Sequence, residues 1–116
     1  MKKLVIALTL CVALGASARC ITNDRWSGDD KQLHAIAGLG VGLAATYATR
    51  DPWAGFWIAT GVALAKEALD ASGSGTCSAQ DAIVTIAAGA LGAAGAGWHI
   101  RLTERGTAQV AFSRSF

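Results

Sequence analysis

A chain of 116 residues has room for one domain. Its ten basic and eight acidic residues leave a net charge of +2, which supplies no basic footprint for nucleic acid. A hydrophobic share of 53% against 16% charged residues excludes a disordered, solvated chain and points to an apolar helical one.

The first segment reads as an export signal. Lys2 and Lys3 precede an apolar run from Leu4 to about Leu14, and Gly15-Ala16-Ser17-Ala18 supplies small residues at the two positions a signal peptidase needs. The expectation is a signal peptide over 1–18, cut after Ala18. An uncleaved N-terminal anchor is the other reading, but the run falls short of the roughly 20 residues of a membrane span. Arg19 stands before Cys20 where an acylated cysteine follows a small residue, so no lipid anchor is expected there. Without Lys2 and Lys3 the rest of the chain has eight basic and eight acidic residues, so it is neutral.

Of the three cysteines, Cys11 belongs to the signal, and Cys20 and Cys77 remain. In an oxidising compartment these two are candidates for a disulfide, and no CxxC spacing suggests a metal.

Residues 19–30 are polar and turn-like. The domain proper is expected over 31–102 as three apolar helices, from Lys31 to Thr49, Pro52 to about Ala71, and Ala79 to about Leu102. Each begins with helix-start chemistry. Ser27 or Asp29 can cap the first, Asp51 can cap the second ahead of Pro52, and Ser78-x-x-Asp81 has the form of a capping box. Ala71 to Thr76 is a Gly/Ser loop. The tail over 103–116 alternates apolar and polar residues at Ala108, Val110 and Phe112; a short strand, a frayed end and a partner-binding segment all fit it.

Small residues recur every four positions: Gly38 and Gly42, then Gly55, Ala59 and Ala63, then Gly89, Ala93 and Gly97. A glycine inside a helix costs about 1 kcal/mol relative to alanine in water. Stripes of small residues let helix backbones approach closely, as helices do in lipid. The third helix has no Asp, Glu, Lys or Arg between Asp81 and Arg101, so it lacks the charged outer face of a soluble bundle. The expected fold class is all-α, a three-helix antiparallel bundle of Gly/Ala-rich helices behind a signal helix. Three crossings would place Arg50, Arg101, Arg105 and Arg114 on the cytoplasmic side with Tyr47, Trp53, Trp57 and Trp98 as an interfacial belt, and Cys20 and Cys77 on the periplasmic side. His99, beside Trp98, fits the same interface. The second helix is short for a span, with fourteen uncharged residues before Lys66, so a partly submerged or periplasmic bundle is the competing arrangement.

Up-down-up packing gathers the remaining ionisable residues at one end: Asp30, Lys31 and His34, then Lys66, Glu67 and Asp70, then Ser78 and Asp81. Three uses fit this cluster. It can be an ion-pair and capping network that fixes how the helix ends meet. His34 can work as acid or base beside Asp70 or Asp81. His34, Glu67, Asp70 and Asp81 can hold a divalent ion. Acids and bases in matched number favour the network, so an enzyme is not the first expectation and no resident metal or cofactor is assigned. Gly38-x-Gly40-x-Gly42 follows no strand and is not a phosphate loop.

Trp26-Ser27-Gly28-x-Asp30-Lys31-x-x-His34, then Lys66-Glu67-x-x-Asp70, then Ser78-x-x-Asp81 before a small-residue helix resemble the YfiM-like predicted periplasmic lipoproteins, over roughly residues 24 to 97. More distantly, the Asp-Lys-x-x-His element is similar to that of VanZ-like membrane proteins, which are associated with glycopeptide resistance. The resemblance implies an envelope location and marks Asp30, Lys31, His34, Lys66, Glu67, Asp70 and Asp81 as signature positions; it implies no activity. The chain departs from that pattern at Arg19, before Cys20, and at Ala35, where a bulky aromatic is usual. Together these readings give an exported protein of the inner membrane or the membrane-associated periplasm. Membrane lipid is the expected partner and an envelope protein a further one; nucleic acid is excluded. Oligomeric state and substrate are not specified. The alternatives are an envelope enzyme acting on a lipid or cell-wall precursor through His34, and a divalent-metal-binding module.

Overall fold

The computed structural model describes residue 3 and residues 20–113. The expected signal and its cleavage site, Cys11, Arg19 and Arg114 lie outside the described residues, as do the side chains of His99 and Arg101.

Three helices form the bundle: α1 over Asp29–Thr49, α2 over Pro52–Leu69 and α3 over Ala79–Gly95. Asp51 caps α2, its carboxylate accepting from the Trp53 N–H at 3.0 Å with Pro52 at the first helical position. The α1 terminus differs from expectation. Neither Ser27 nor Asp29 caps it; Gly28 is the N-cap with φ +132, no side chain bonds the end, and Asp29 and Asp30 oppose the helix dipole from the first turn instead. The capping box of α3 is half formed. Ser78 Oγ accepts from the Asp81 N–H at 3.3 Å, but the Asp81 carboxylate turns to Lys31 and the Ser78 N–H donates to Glu67 Oε2 at 2.8 Å. Beyond α2 the chain continues as a π-helical turn over Asp70–Ser74 rather than as a plain loop.

Glycine stripes set the distance between helices. A Cβ added at Gly38 would fall on the Thr85 carbonyl oxygen, one at Gly42 on that of Gly89, and one at Gly92 on that of Leu39. The order 38–85 and 42–89 makes α1 and α3 parallel neighbours. Gly55 meets Thr46, and Gly89 would meet the Ala59 Cβ at 2.6 Å, so α2 runs against both. Among the described residues the buried apolar side chains are Ala59, Ala63, Ala88, Ala93, Ala96 and Cys77, none of them large. Thr46, Thr60 and Thr85 also lie inside, each donating its hydroxyl to the carbonyl four residues earlier, at 2.8, 2.9 and 2.8 Å.

The third helix ends seven residues before the expected Leu102. Past Gly95 the chain turns into a two-stranded hairpin, β1 over Trp98–Leu102 paired antiparallel with β2 over Ala108–Phe112. Gly97 is the reason at one end: Phe112 and the Ser113 carbonyl pack where a Cβ would stand, and the Trp98 and Phe112 rings meet at 5.2 Å. Gly106, at φ +73, closes the other end, where the Thr103 N–H donates to the Thr107 carbonyl at 2.9 Å. Of the three readings of the tail, residues 108–112 take the strand.

Candidate functional site

The N-terminal segment is stapled to the start of α3. Cys20 and Cys77 form a disulfide with their Cα atoms 4.6 Å apart. The Ile21 N–H donates to the Cys77 carbonyl at 3.0 Å, and the Ala79 N–H returns to the Ile21 carbonyl at 2.9 Å. The Gln80 side-chain amide donates to the Thr22 carbonyl. This staple carries Asp24 over the mouth of the bundle.

Lys31 stands at the centre of the polar end. Its ammonium donates to Asp24 Oδ2 at 2.7 Å and to Asp81 Oδ1, and it lies 3.6 Å from Asp30 Oδ2. Ser78 Oγ donates to the same Asp24 oxygen at 2.8 Å. The hydrogen bond from Lys31, then that from Ser78 and the backbone bond from Arg25, lower the Asp24 carboxyl from 3.8 to about 2. In return the hydrogen bonds to Asp24 and Asp81 raise Lys31 above its ordinary value although burial opposes the shift.

His34 lies one turn further into the bundle. Its Nδ1 is 2.9 Å from Thr85 Oγ1, and its Nε2 is 3.5 Å from Asp81 Oδ2 and 3.8 Å from Asp30 Oδ1. A threonine hydroxyl has one hydrogen, and Thr85 gives its own to the Asp81 carbonyl at 2.8 Å. Thr85 Oγ1 therefore accepts from His34, whose proton sits on Nδ1. In the neutral imidazole the Nε2 lone pair then faces two carboxylates at the edge of a groove of about 320 Å³, which Leu33, Val62 and Lys66 also line. Such a nitrogen can take a proton as a general base, bind a cation, or carry a second proton between the two acids.

Glu67 and Asp70 make a separate set. Glu67 is buried with Oε2 on the Ser78 N–H and Oε1 3.6 Å from Lys66, and Lys66 donates to Asp70 Oδ2 at 2.6 Å. Burial, the largest influence on Lys66, lowers it; the hydrogen bond to Asp70 and the charges of Glu67, Asp70 and Asp81 overcome that and raise it. Among the described residues no hydrogen bond or ion pair joins His34 to Glu67 or Asp70. Of the two acids expected beside His34, Asp70 or Asp81, the one near its ring is Asp81, and in place of the expected ion-holding set of His34, Glu67, Asp70 and Asp81 the groups that come together are Asp30, His34 and Asp81. Their ligand atoms lie within 4.8 Å of one another. The reason is helix phase: α2 turns Glu67 toward the start of α3 and keeps Asp70 with Lys66.

Two members escape sequence reasoning. Asp24 lies in a polar segment whose path is set by the disulfide and by the backbone bonds of Ile21 to the start of α3. Thr85 had a faint signal, a polar residue one turn after Asp81 in an otherwise apolar helix.

The opposite end gathers aromatic residues. Tyr47 donates to the Ala96 carbonyl at 2.6 Å, and the rings of Trp53, Phe56 and Trp57 pack with centroids 5.1 to 5.6 Å apart. An apolar groove of about 320 Å³ opens there between Trp53, Phe56 and the alanines of α3.

Fold and site together define a small-residue three-helix bundle with a buried charged network at one end and an aromatic rim at the other. The chain matches no protein-family model, no curated protein and no solved structure.

Proposed function

We propose that the chain is a non-enzymatic module of the bacterial cell envelope, seated in a lipid surface with its polar end organised by the Lys31 network. One observation carries this reading: the bundle is inverted relative to a water-soluble one. Leu33, Ile36 and Leu91 are 67%, 69% and 69% exposed, whereas Glu67, Asp81 and Lys31 are 2%, 4% and 7% exposed. Trp53, Val62, Leu69 and Ile83 also face outward, so all three helices contribute to the apolar exterior. Among the described residues the fully buried apolar side chains are alanines and one half-cystine, which contribute little hydrophobic driving force in water.

No described helix is long and apolar enough to cross a membrane. The reading is therefore of a bundle lying within one leaflet and its interface, not of three crossings. The aromatic rim at Tyr47, Trp53 and Trp57 suits the headgroup level, where amphipathic rings are favoured. The export signal expected over 1–18 and the resemblance to YfiM-like periplasmic lipoproteins support an envelope location.

Vesicle flotation tests the reading. The purified chain is expected to float with phosphatidylethanolamine/phosphatidylglycerol vesicles and to stay with membranes through a carbonate wash. The triple variant Leu33→Lys, Ile36→Lys, Leu91→Lys should keep its helical circular dichroism and lose at least about 100-fold in partitioning, since each aliphatic side chain withdrawn from water contributes roughly 1.5–3 kcal/mol. A wild-type chain that is monodisperse without detergent and remains at the bottom of the gradient would overturn it.

A further inference from the structure

We infer that Asp30, His34 and Asp81 form a binding site for one divalent transition-metal ion of the zinc class, opening into the groove beside Leu33 and Val62.

The argument begins with the imidazole. His34 is about nine-tenths buried, and Thr85 accepts from its Nδ1, so Nε2 is the ring nitrogen left to bind an ion. Nε2 faces two carboxylates. Their oxygens, at 3.5 and 3.8 Å, stand beyond the 2.7–3.2 Å of an ordinary N–H···O hydrogen bond. They stand close to the separation of two ligands on one ion: metal–ligand distances near 2.0–2.2 Å put the ligands of a tetrahedral zinc about 3.3 Å apart. The three ligand atoms lie within 4.8 Å of one another, so a side-chain movement of about 1 Å draws the set onto one ion. Asp30 is placed to make it, since its side chain is 68% exposed.

Charge and support agree. Asp24, Asp30 and Asp81 carry three negative charges against one on Lys31, and a divalent cation cancels the remaining two. Lys31 holds Asp81 by Oδ1, which leaves Oδ2 for the ion. Thr85 holds the imidazole by Nδ1, the outer-shell bond that orients a ligating histidine and sets its tautomer. Lys66, the other cation lining the groove, is engaged by Asp70 and Glu67. One nitrogen and two carboxylate oxygens suit zinc and its first-row neighbours better than calcium or magnesium, which take oxygen alone. Three protein ligands leave a fourth position facing the groove.

The experiment uses the untagged full chain in detergent micelles, stripped with chelator and titrated with zinc ion alone by calorimetry and with cobalt(II) ion by visible absorption. Expected are one equivalent of saturable zinc binding, a cobalt d–d band of nitrogen/oxygen coordination, and a change in the His34 Nε2 resonance. Asp30→Asn, at an exposed position, should keep the helical fold and weaken zinc binding at least tenfold, the lower end of what losing even a supporting residue does. His34→Gln should weaken zinc binding likewise and abolish the cobalt band, with retained helical circular dichroism as the check on folding. No saturable site, or wild-type affinity in both variants, overturns the proposal. Vesicle flotation of the metal-free chain is a separate readout, so loss of the metal site leaves the lipid-surface reading standing.

Discussion

The ammonium of Lys31 lies 2.7 Å from Oδ2 of Asp24, and this contact joins a segment outside the bundle to a charge inside it. The same nitrogen reaches Asp81 on α3, so a single cation ties together the stapled N-terminal segment, α1 and α3. Burying it is tolerable because carboxylates surround it; alone, it would be strongly destabilising.

The Asp24 carboxyl, lowered to about 2 from 3.8, makes stability depend on acid. Between those values the unfolded chain takes up a proton that the folded chain refuses, so stability rises with pH there and is lost as pH falls through the window. Thermal melts from pH 2 to 7 should show the midpoint dropping below about pH 4. Asp24→Asn should melt lower at pH 7 and show a shallower slope below pH 4; an unchanged slope would remove the assigned role.

Gly42 and Gly40 lie two residues apart on α1 and should respond in opposite directions. A Cβ at Gly42 strikes the backbone of Gly89, whereas one at Gly40 meets nothing within 4 Å. Gly40→Ala should stabilise the chain by about 1 kcal/mol through helix propensity. Gly42→Ala gains the same propensity but forces α1 from α3, at about 1–3 kcal/mol for overpacking, so it should melt lower than wild type. Equal melting temperatures for the two variants would show that the helices do not touch through this stripe.

The Cys20–Cys77 disulfide closes a loop of 57 residues. On the chain-entropy account a loop of that length contributes about 4 kcal/mol. Cys20→Ser/Cys77→Ser should therefore lower the denaturant midpoint substantially and expose Asp24 and Lys31 to solvent. Amide exchange at Ile21 and Ala79, whose N–H groups bridge the two segments, should accelerate in the same variant. Protection retained at both would mean that the hydrogen bonds alone hold the staple.

Local chemistry was readable from the residues. Asp51-Pro52 and Ser78 mark the starts of α2 and α3 because capping depends on neighbours within one turn. The four-residue spacing of Gly38, Gly42, Gly55, Ala59, Ala63, Gly89 and Ala93 announces close helix contact for the same reason. Alternating short helices also force Asp30, Lys66 and Asp81 to one end. Only the tertiary structure decided the rest. Whether His34 meets Asp70 or Asp81 depends on the rotation of each helix about its axis, and that phase is set by which glycine seats against which carbonyl. Asp24 joins the site through a disulfide between residues 57 apart, and the end of α3 is decided by Phe112 returning onto Gly97. Spacing along a chain encodes neighbours within a turn; angular register between helices emerges only when their surfaces pack.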